Sequence, residues 1–266
     1  MTQKKRSNMK DLTVIIPVHI FDDTVKGMLE TAVDSVDNQA KIIIVCPKKV
    51  FSEIEKIEKY STDSNIELVQ STKDDFCSQV NTAVKNNCKT EYFTVLEFDD
   101  KFTPNFFNNA EVYTSTYKNV FGFLSLVEAV DFEHKDAGPI GYINEVFWAS
   151  SFSEVLGYLD LDSVMNFLSI NATGAIFKTT EFIEIGGLKP SIKIAFWHEF
   201  LLRAIHKEKK MFVIPKVGYV HTINRPDSLS DISQKTISEE EAEWWVELAQ
   251  QEYYFVKDRK KTYEKQ

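Results

Sequence analysis

Cysteine is scarce in this chain: Cys46, Cys77 and Cys88 are the only three in 266 residues. Their number is odd and no two have CxxC spacing, which argues against a disulfide framework and against a zinc site. Positive charge is in deficit as well. Lys and Arg number 31 against 40 Asp and Glu, leaving a formal net charge of -9 and a pI near 5.2. A surface built mainly to neutralise phosphates is therefore not the default, although a local basic patch can coexist with a negative total. No apolar run approaches the roughly 20 residues of a membrane-spanning helix. The basic start "MTQKKRSNMK" is followed only by the short "LTVIIPV", with no small-residue cleavage site. Internal repeats, low-complexity tracts and a clear interdomain linker are also missing. Together these absences predict a soluble, cytoplasmic protein with reduced thiols, no transmembrane segment and no targeting segment.

What is present is core material: 43% of the residues are apolar and 13% aromatic, ample for one large α/β domain or two small ones. From residue 12, β-branched runs alternate with amphipathic stretches: "LTVIIPV", a helix over 23–36, "KIIIVC", a helix over 48–60, "NIELV", a helix over 75–88 and the strand "YFTVLEF". Continuous apolar strands in this rhythm imply a parallel sheet covered on both faces, with ligands beyond the carboxyl ends of its strands. After residue 104 the rhythm loosens. A helix over 105–118, a strand "VFGFLSLVEAVDF" and an irregular segment over 134–170 precede "NATGAIFK" and a helix ending at Gly186 and Gly187. A helix over 196–207, strands "MFVIP" and "VGYVHT", the loop "INRPDSLSD" and a helix from near Ser238 complete the chain.

Carboxylates crowd one strand end, in "YFTVLEFDDKF". If the strand's alternation continues, Glu97 and Asp99 project to one side and can share a hard divalent cation while Phe98 faces away. The other reading is an acidic strand end that caps the helix beyond "DDKFTP".

The order of several motifs narrows the choice. "LTVIIPVHI", "QVNTAVKNNCKTEYFTVLEFDDKFTPNFF", "NATGAIFKTTEFIEIGGLKP", "HEFLLRAIH" and "VGYVHTINRPDSLS" together resemble the inverting nucleotide-sugar glycosyltransferases of family two, over roughly residues 12–231. The resemblance implies an α/β GT-A fold, a Rossmann-like mixed sheet flanked by helices. Residues 11–232 would form the GT-A-like domain, with a donor half of about 11–103 and an acceptor half of about 104–232, and residues 233–266 a C-terminal helical extension. The implied chemistry is metal-dependent transfer of a sugar from a nucleoside diphosphate sugar to a hydroxyl acceptor, with Mn²⁺ or Mg²⁺ as cofactor. The acceptor is left open among a glycan, a lipid-linked sugar, a protein and a modified DNA base.

Carried over residue by residue, the resemblance puts Pro17, Val18, His19, Asn81, Asp99 and Arg225 at the donor nucleotide, and Glu97, Asp99 and His221 at the metal. It puts Thr173, Gly174 and His198 near the sugars. The catalytic base is expected at Glu199 if the pattern is matched at the helix start. Matched on Arg203, the usual acidic pair falls instead on Phe196 and Trp197, and an i,i+4 Glu199–Arg203 surface pair explains the same residues structurally. Cys46, Pro47 and Lys48 stand where family members carry an acidic pair. These departures keep a degenerate, non-catalytic GT-A binding module as an alternative. A nucleotidyltransferase is less favoured, because the loop "PVHIFDDT" has no glycine and no basic residue beyond His19. Two aromatic features have more than one reading. Phe147, Trp148, Phe152 and Tyr158 either stack on an acceptor or pack in the core. Trp244, Trp245, Leu248, Tyr253 and Phe255 form a helical stripe for docking on the domain or on a second copy of the chain, with a membrane-surface role less favoured because the apolar half has acidic neighbours.

Overall fold

The computed structural model describes residues 9–145, 157–167 and 170–263, with side chains described as far as residue 251. Phe147, Trp148 and Phe152 of the expected aromatic cluster lie outside the described residues, as do the side chains of Tyr253 and Phe255.

Ten strands form one sheet. In chain order they are β1 (Leu12–Pro17), β2 (Lys41–Pro47), β3 (Ile66–Ser71), β4 (Tyr92–Val95), β5 (Lys101–Phe102), β6 (Gly122–Asp131), β7 (Gly141–Ile143), β8 (Gly157–Tyr158), β9 (Ile176–Lys178) and β10 (Met211–Ile223). The spatial order is β3-β2-β1-β4-β9-β6-β10-β5, with β7 beside β6 and β8 beside β10. The first four strands are mutually parallel, as are β6 and β10, while β9 runs antiparallel between β4 and β6 and β5 runs antiparallel along β10. "MFVIP" and "VGYVHT" are one strand rather than two. Its ladder with β6 shifts register between Ile214 and Tyr219, around Pro215, which has no N–H to donate.

The helices are α1 (Asp23–Val36), α2 (Lys48–Ile54), α3 (Glu58–Thr62), α4 (Phe76–Thr82), α5 (Phe106–Thr116), α6 (Leu161–Asn166), α7 (Thr179–Glu184), α8 (Phe196–His206), α9 (Leu229–Thr236) and α10 (Glu239–Tyr263). Strand alternation assigns them to the two faces of the sheet. Val14 and Ile16 of β1 pack with Leu29 of α1, Ile54 of α2 and Phe107 of α5. Ile15 turns the other way, towards Val80 of α4, Phe182 of α7 and Phe200 of α8. All three cysteines are buried in these layers, and burial pushes the Cys46 and Cys77 thiols up to about 12. In α10, Trp245 and Ala249 are buried and Trp244 is half exposed, so the stripe docks on its own domain along one edge. No helix among the described residues is long and apolar enough to cross a membrane.

Gly174 fixes the spacing between β4 and β10. Its φ is +75°, and a Cβ there would lie 2.3 Å from Cδ2 of the buried Tyr219. Gly174→Ala is expected to cost about 2–4 kcal/mol, from left-handed backbone strain and overpacking combined. A shift of the urea unfolding midpoint measures it, and an unchanged midpoint contradicts the packing described.

Candidate active site

The acidic cluster sits on a turn, not on the strand. Regular pairing of β4 stops at Val95, the Leu96 amide still donates to the Ile15 carbonyl at 2.9 Å, and the Asp100 amide then donates back to the Glu97 carbonyl at 3.1 Å. An i to i+3 turn breaks strand parity and brings its first and last residues together. Register places the far end. Lys101 and Phe102 of β5 lie opposite Val220 and Tyr219 of β10, so Asp100 falls beside His221 and Thr222.

The resulting contacts are specific. Asp100, whose side chain is fully buried, accepts the Thr222 amide on Oδ1 at 2.7 Å and has His221 Nδ1 2.9 Å from Oδ2. Glu97 accepts the Thr173 hydroxyl on Oε1 at 2.9 Å, and its own amide donates to the Tyr219 hydroxyl at 3.1 Å. One ligand atom from each of Glu97, Asp100 and His221 lies within 4.8 Å of the other two. Two carboxylates and an imidazole form a donor set that fits a divalent cation such as Mn²⁺ or Mg²⁺.

Asp99 is turned elsewhere. Its Oδ2 accepts Arg225 Nε at 2.6 Å, in a pair whose side chains are only 8% and 6% exposed, and the guanidinium stands 5.1 Å from the Phe98 ring centroid. The cluster thus contains Glu97 and His221 as expected, with Asp100 where Asp99 was expected. Asp100 is absent from the ligand set expected from the sequence, although it stands in plain view in "EFDDK".

Charge shapes the protonation of this cluster. Burial raises the Glu97 carboxyl to about 7, with Asp100 adding to the shift. Burial also pushes Asp100 above the usual carboxylate range, against the pull of the His221 imidazolium. Burial, the largest single influence, would lower His221, but the Asp100 carboxylate, joined by Glu97 and Asp99, overrides it and raises the imidazole to about 9.

Two adjoining cavities meet at Glu97. The first, about 440 Å³, is lined by Pro17, His19, Glu97, Asp99, His221 and Arg225 together with the first turn of α9, whose N-cap is Ser228. His19 Nε2 is buried there without a hydrogen-bond partner among the described residues, and burial lowers the ring's pKa, with Arg225 contributing. The second, about 810 Å³, shares Phe76, Glu97, Leu229, Ser230 and Gln234 with the first.

The other expected site residues lie outside both cavities. Val18 is wholly buried. Asn81 ties down a loop, accepting the Leu188 amide at 2.9 Å and donating to the Leu188 carbonyl at 2.7 Å. Thr173 reaches the site only through its bond to Glu97, and Gly174 packs on Tyr219. His198 is buried with Nε2 2.9 Å from Gln250 of α10, and burial lowers it to about 4. Glu199 is 2% exposed, and its carboxylate accepts Arg203 Nε and Nη2 at 2.9 Å each and pairs with Lys189 at 2.7 Å. Arg203 also donates to the carbonyls of Ile185 and Gly187. The arrangement commits Glu199 to holding the loop after α7 through an i,i+4 pair that is buried rather than on the surface, and presents it to neither cavity.

No protein-family model matches this chain, and no curated protein matches it by sequence. Solved structures do. A fragment of Staphylococcus aureus TarS, residues 1–349, in complex with UDP-GlcNAc superposes with a TM-score of 0.59 at 16% identity, covering 84% of this chain and 61% of that one. The same fragment with UDP gives 0.59 and 16%, covering 81% and 61%. A longer TarS structure gives 0.58 and 15%, covering 81% of this chain and 37% of that one. This chain therefore spans less than two thirds of the TarS chains it resembles. The likeness shows the fold: a curled mixed sheet flanked by helices, the GT-A-like architecture.

Removing one partner of a buried ion pair strands the other charge. Glu199→Gln is accordingly expected to cost about 3–5 kcal/mol of stability, read from denaturant unfolding. Wild-type stability in that variant would contradict the anchoring role. The cluster predicts a pH dependence for the metal-free protein. A histidine raised from 6.5 to about 9 contributes stability that is complete below its unfolded pKa and lost as pH rises through its folded one. Unfolding midpoints measured in EDTA should fall between pH 7 and 9, and His221→Gln should flatten that limb. A slope that survives the substitution assigns it to other groups.

Proposed function

We propose that this protein transfers a sugar from a nucleoside diphosphate sugar to a hydroxyl acceptor. The observation that carries the reading is the first cavity itself. At the carboxyl ends of β1, β4 and β10 its lining includes Glu97 and His221 of the metal-competent cluster, whose third member, the buried Asp100, is bonded to His221, together with a nearly buried arginine. A cation on the cluster and the arginine are both cationic partners suited to a diphosphate.

In this reading Glu97, Asp100 and His221 hold Mn²⁺ or Mg²⁺. Once bound, the cation would act as a Lewis acid, offsetting charge on the leaving diphosphate. Arg225 presents its remaining donors to the diphosphate while Asp99 fixes the orientation of the guanidinium. His19, with Nε2 unpartnered and Pro17 beside it, lies against the base. Thr173 holds the Glu97 carboxylate in place. Inversion at the anomeric carbon, implied by the family resemblance, calls for a carboxylate on the acceptor side to take the hydroxyl proton. Apart from Glu97, which is committed to the cation in this reading, Asp75 and Glu239 are the carboxylates lining the second cavity and are better placed for this than Glu199. The commitment of Glu199 to Arg203 and Lys189 also favours, as a second reading, a GT-A module that binds donor without turning it over.

UDP is the first nucleotide to try, because the TarS fragment was crystallised with UDP and with UDP-GlcNAc. Calorimetry should show UDP-sugar binding that Mn²⁺ strengthens, and Asp100→Asn should remove the Mn²⁺ effect. Arg225→Ala should weaken donor binding about 10- to 100-fold, the worth of a hydrogen bond to a charged group. Failure of every nucleotide sugar to bind refutes the assignment, whereas binding without hydrolysis or transfer selects the non-catalytic module.

A further inference from the structure

The second cavity differs in chemistry from the first. Its walls include Ile192, Ile194, Ile237 and Ala242, together with a ring cluster in which Phe76 stands 5.3 Å from Phe196 and 6.3 Å from Trp197. Its lysine, Lys193, is already engaged, 3.3 Å from Glu241 and over the Trp245 ring. Asp75 and Glu239, both exposed, add negative charge to the lining. Such a space adjoins the donor cavity at Glu97, favours apolar surface and repels anions.

We propose that the second cavity takes the acceptor, and that the acceptor is an uncharged amphiphilic alcohol: a glycoside or similar hydroxyl compound carrying an alkyl group, not a polyanion such as nucleic acid. The proposal rests on the donor reading of the first cavity. The reacting hydroxyl lies at the Glu97 end, where the cavities join, and the apolar portion lies among Ile194, Phe196, Trp197 and Ile237. The acceptor oxygen attacks the anomeric carbon, the bond from that carbon to the diphosphate breaks, the nucleoside diphosphate leaves with the bonding pair, and the hydroxyl proton passes to a carboxylate. No further reactant is needed.

Calorimetry on the full chain with methyl, butyl and octyl β-glucosides, kept below micelle formation, tests the class of acceptor. A buried methylene is worth about fourfold in affinity, so binding should strengthen at least tenfold from methyl to octyl. A single-stranded oligonucleotide containing hydroxymethylcytosine should bind more weakly than the octyl compound. Ile194→Asp and Ile237→Ser should each flatten the chain-length series, with retained UDP binding in Mn²⁺ as the check that the variant is folded. If neither variant folds, the wild-type series decides alone. A flat series, or preference for the oligonucleotide, overturns the proposal. Failure of the wild type to bind any nucleotide sugar overturns the donor reading and the acceptor role with it, whereas a flat glucoside series beside retained donor binding overturns the acceptor class alone.

Discussion

A carboxylate with no exposed side-chain surface must be neutralised or bonded where it stands, and Asp100 meets that demand by joining two strands that are not neighbours in the sheet. Its oxygens take the Thr222 amide and the His221 ring from β10, although β9 and β6 lie between β4 and β10 in the strand order. The two-residue strand β5 makes this possible by folding back along β10. Much of the site follows from that closure. It sets the turn from Glu97 to Asp100, places Tyr219 under the Glu97 amide, and sends Asp99 outwards to Arg225. A chain that left Asp100 unpaired would lose the ion cluster and the wall of the first cavity together.

The parallel half of the fold is legible because each strand is a continuous apolar run with a helical pattern after it. "LTVIIPV" and "KIIIVC" meet both conditions, "NIELV" is interrupted only by Glu67, and their alternate apolar residues feed the two core layers. The site is legible in type rather than in detail. That acidic residues gather beyond a strand end can be read from "LEFDDK". Which of them cooperate depends on a turn closed by one backbone hydrogen bond and on a register set more than a hundred residues later, and neither leaves a local periodic signal. Asn81, His198 and Glu199 illustrate the same limit. Each carries chemistry suited to a ligand, and each is consumed by a loop carbonyl, by Gln250 of α10 or by a buried arginine.

The two cavities are roofed by a single element. α9 lines both, begins at a serine cap and has no buried residue, so little core packing opposes its displacement. Leu229, Ser230 and Gln234 face both spaces, which makes the occupancy of one cavity a matter for the shape of the other. Glu97 stands at the same junction from below, fixed by Thr173 and Tyr219.

The burial of the cysteines has a practical meaning of its own. Thiol reagents attack the thiolate, and Cys46, Cys77 and Cys88 are all shielded inside the two core layers. Alkylation of the native protein must therefore wait for the sheet to part from its helices, so its rate reports how often the core opens. A cysteine placed on the exposed face of α9 would react against a silent background, letting motion of the roof be followed separately from motion of the body.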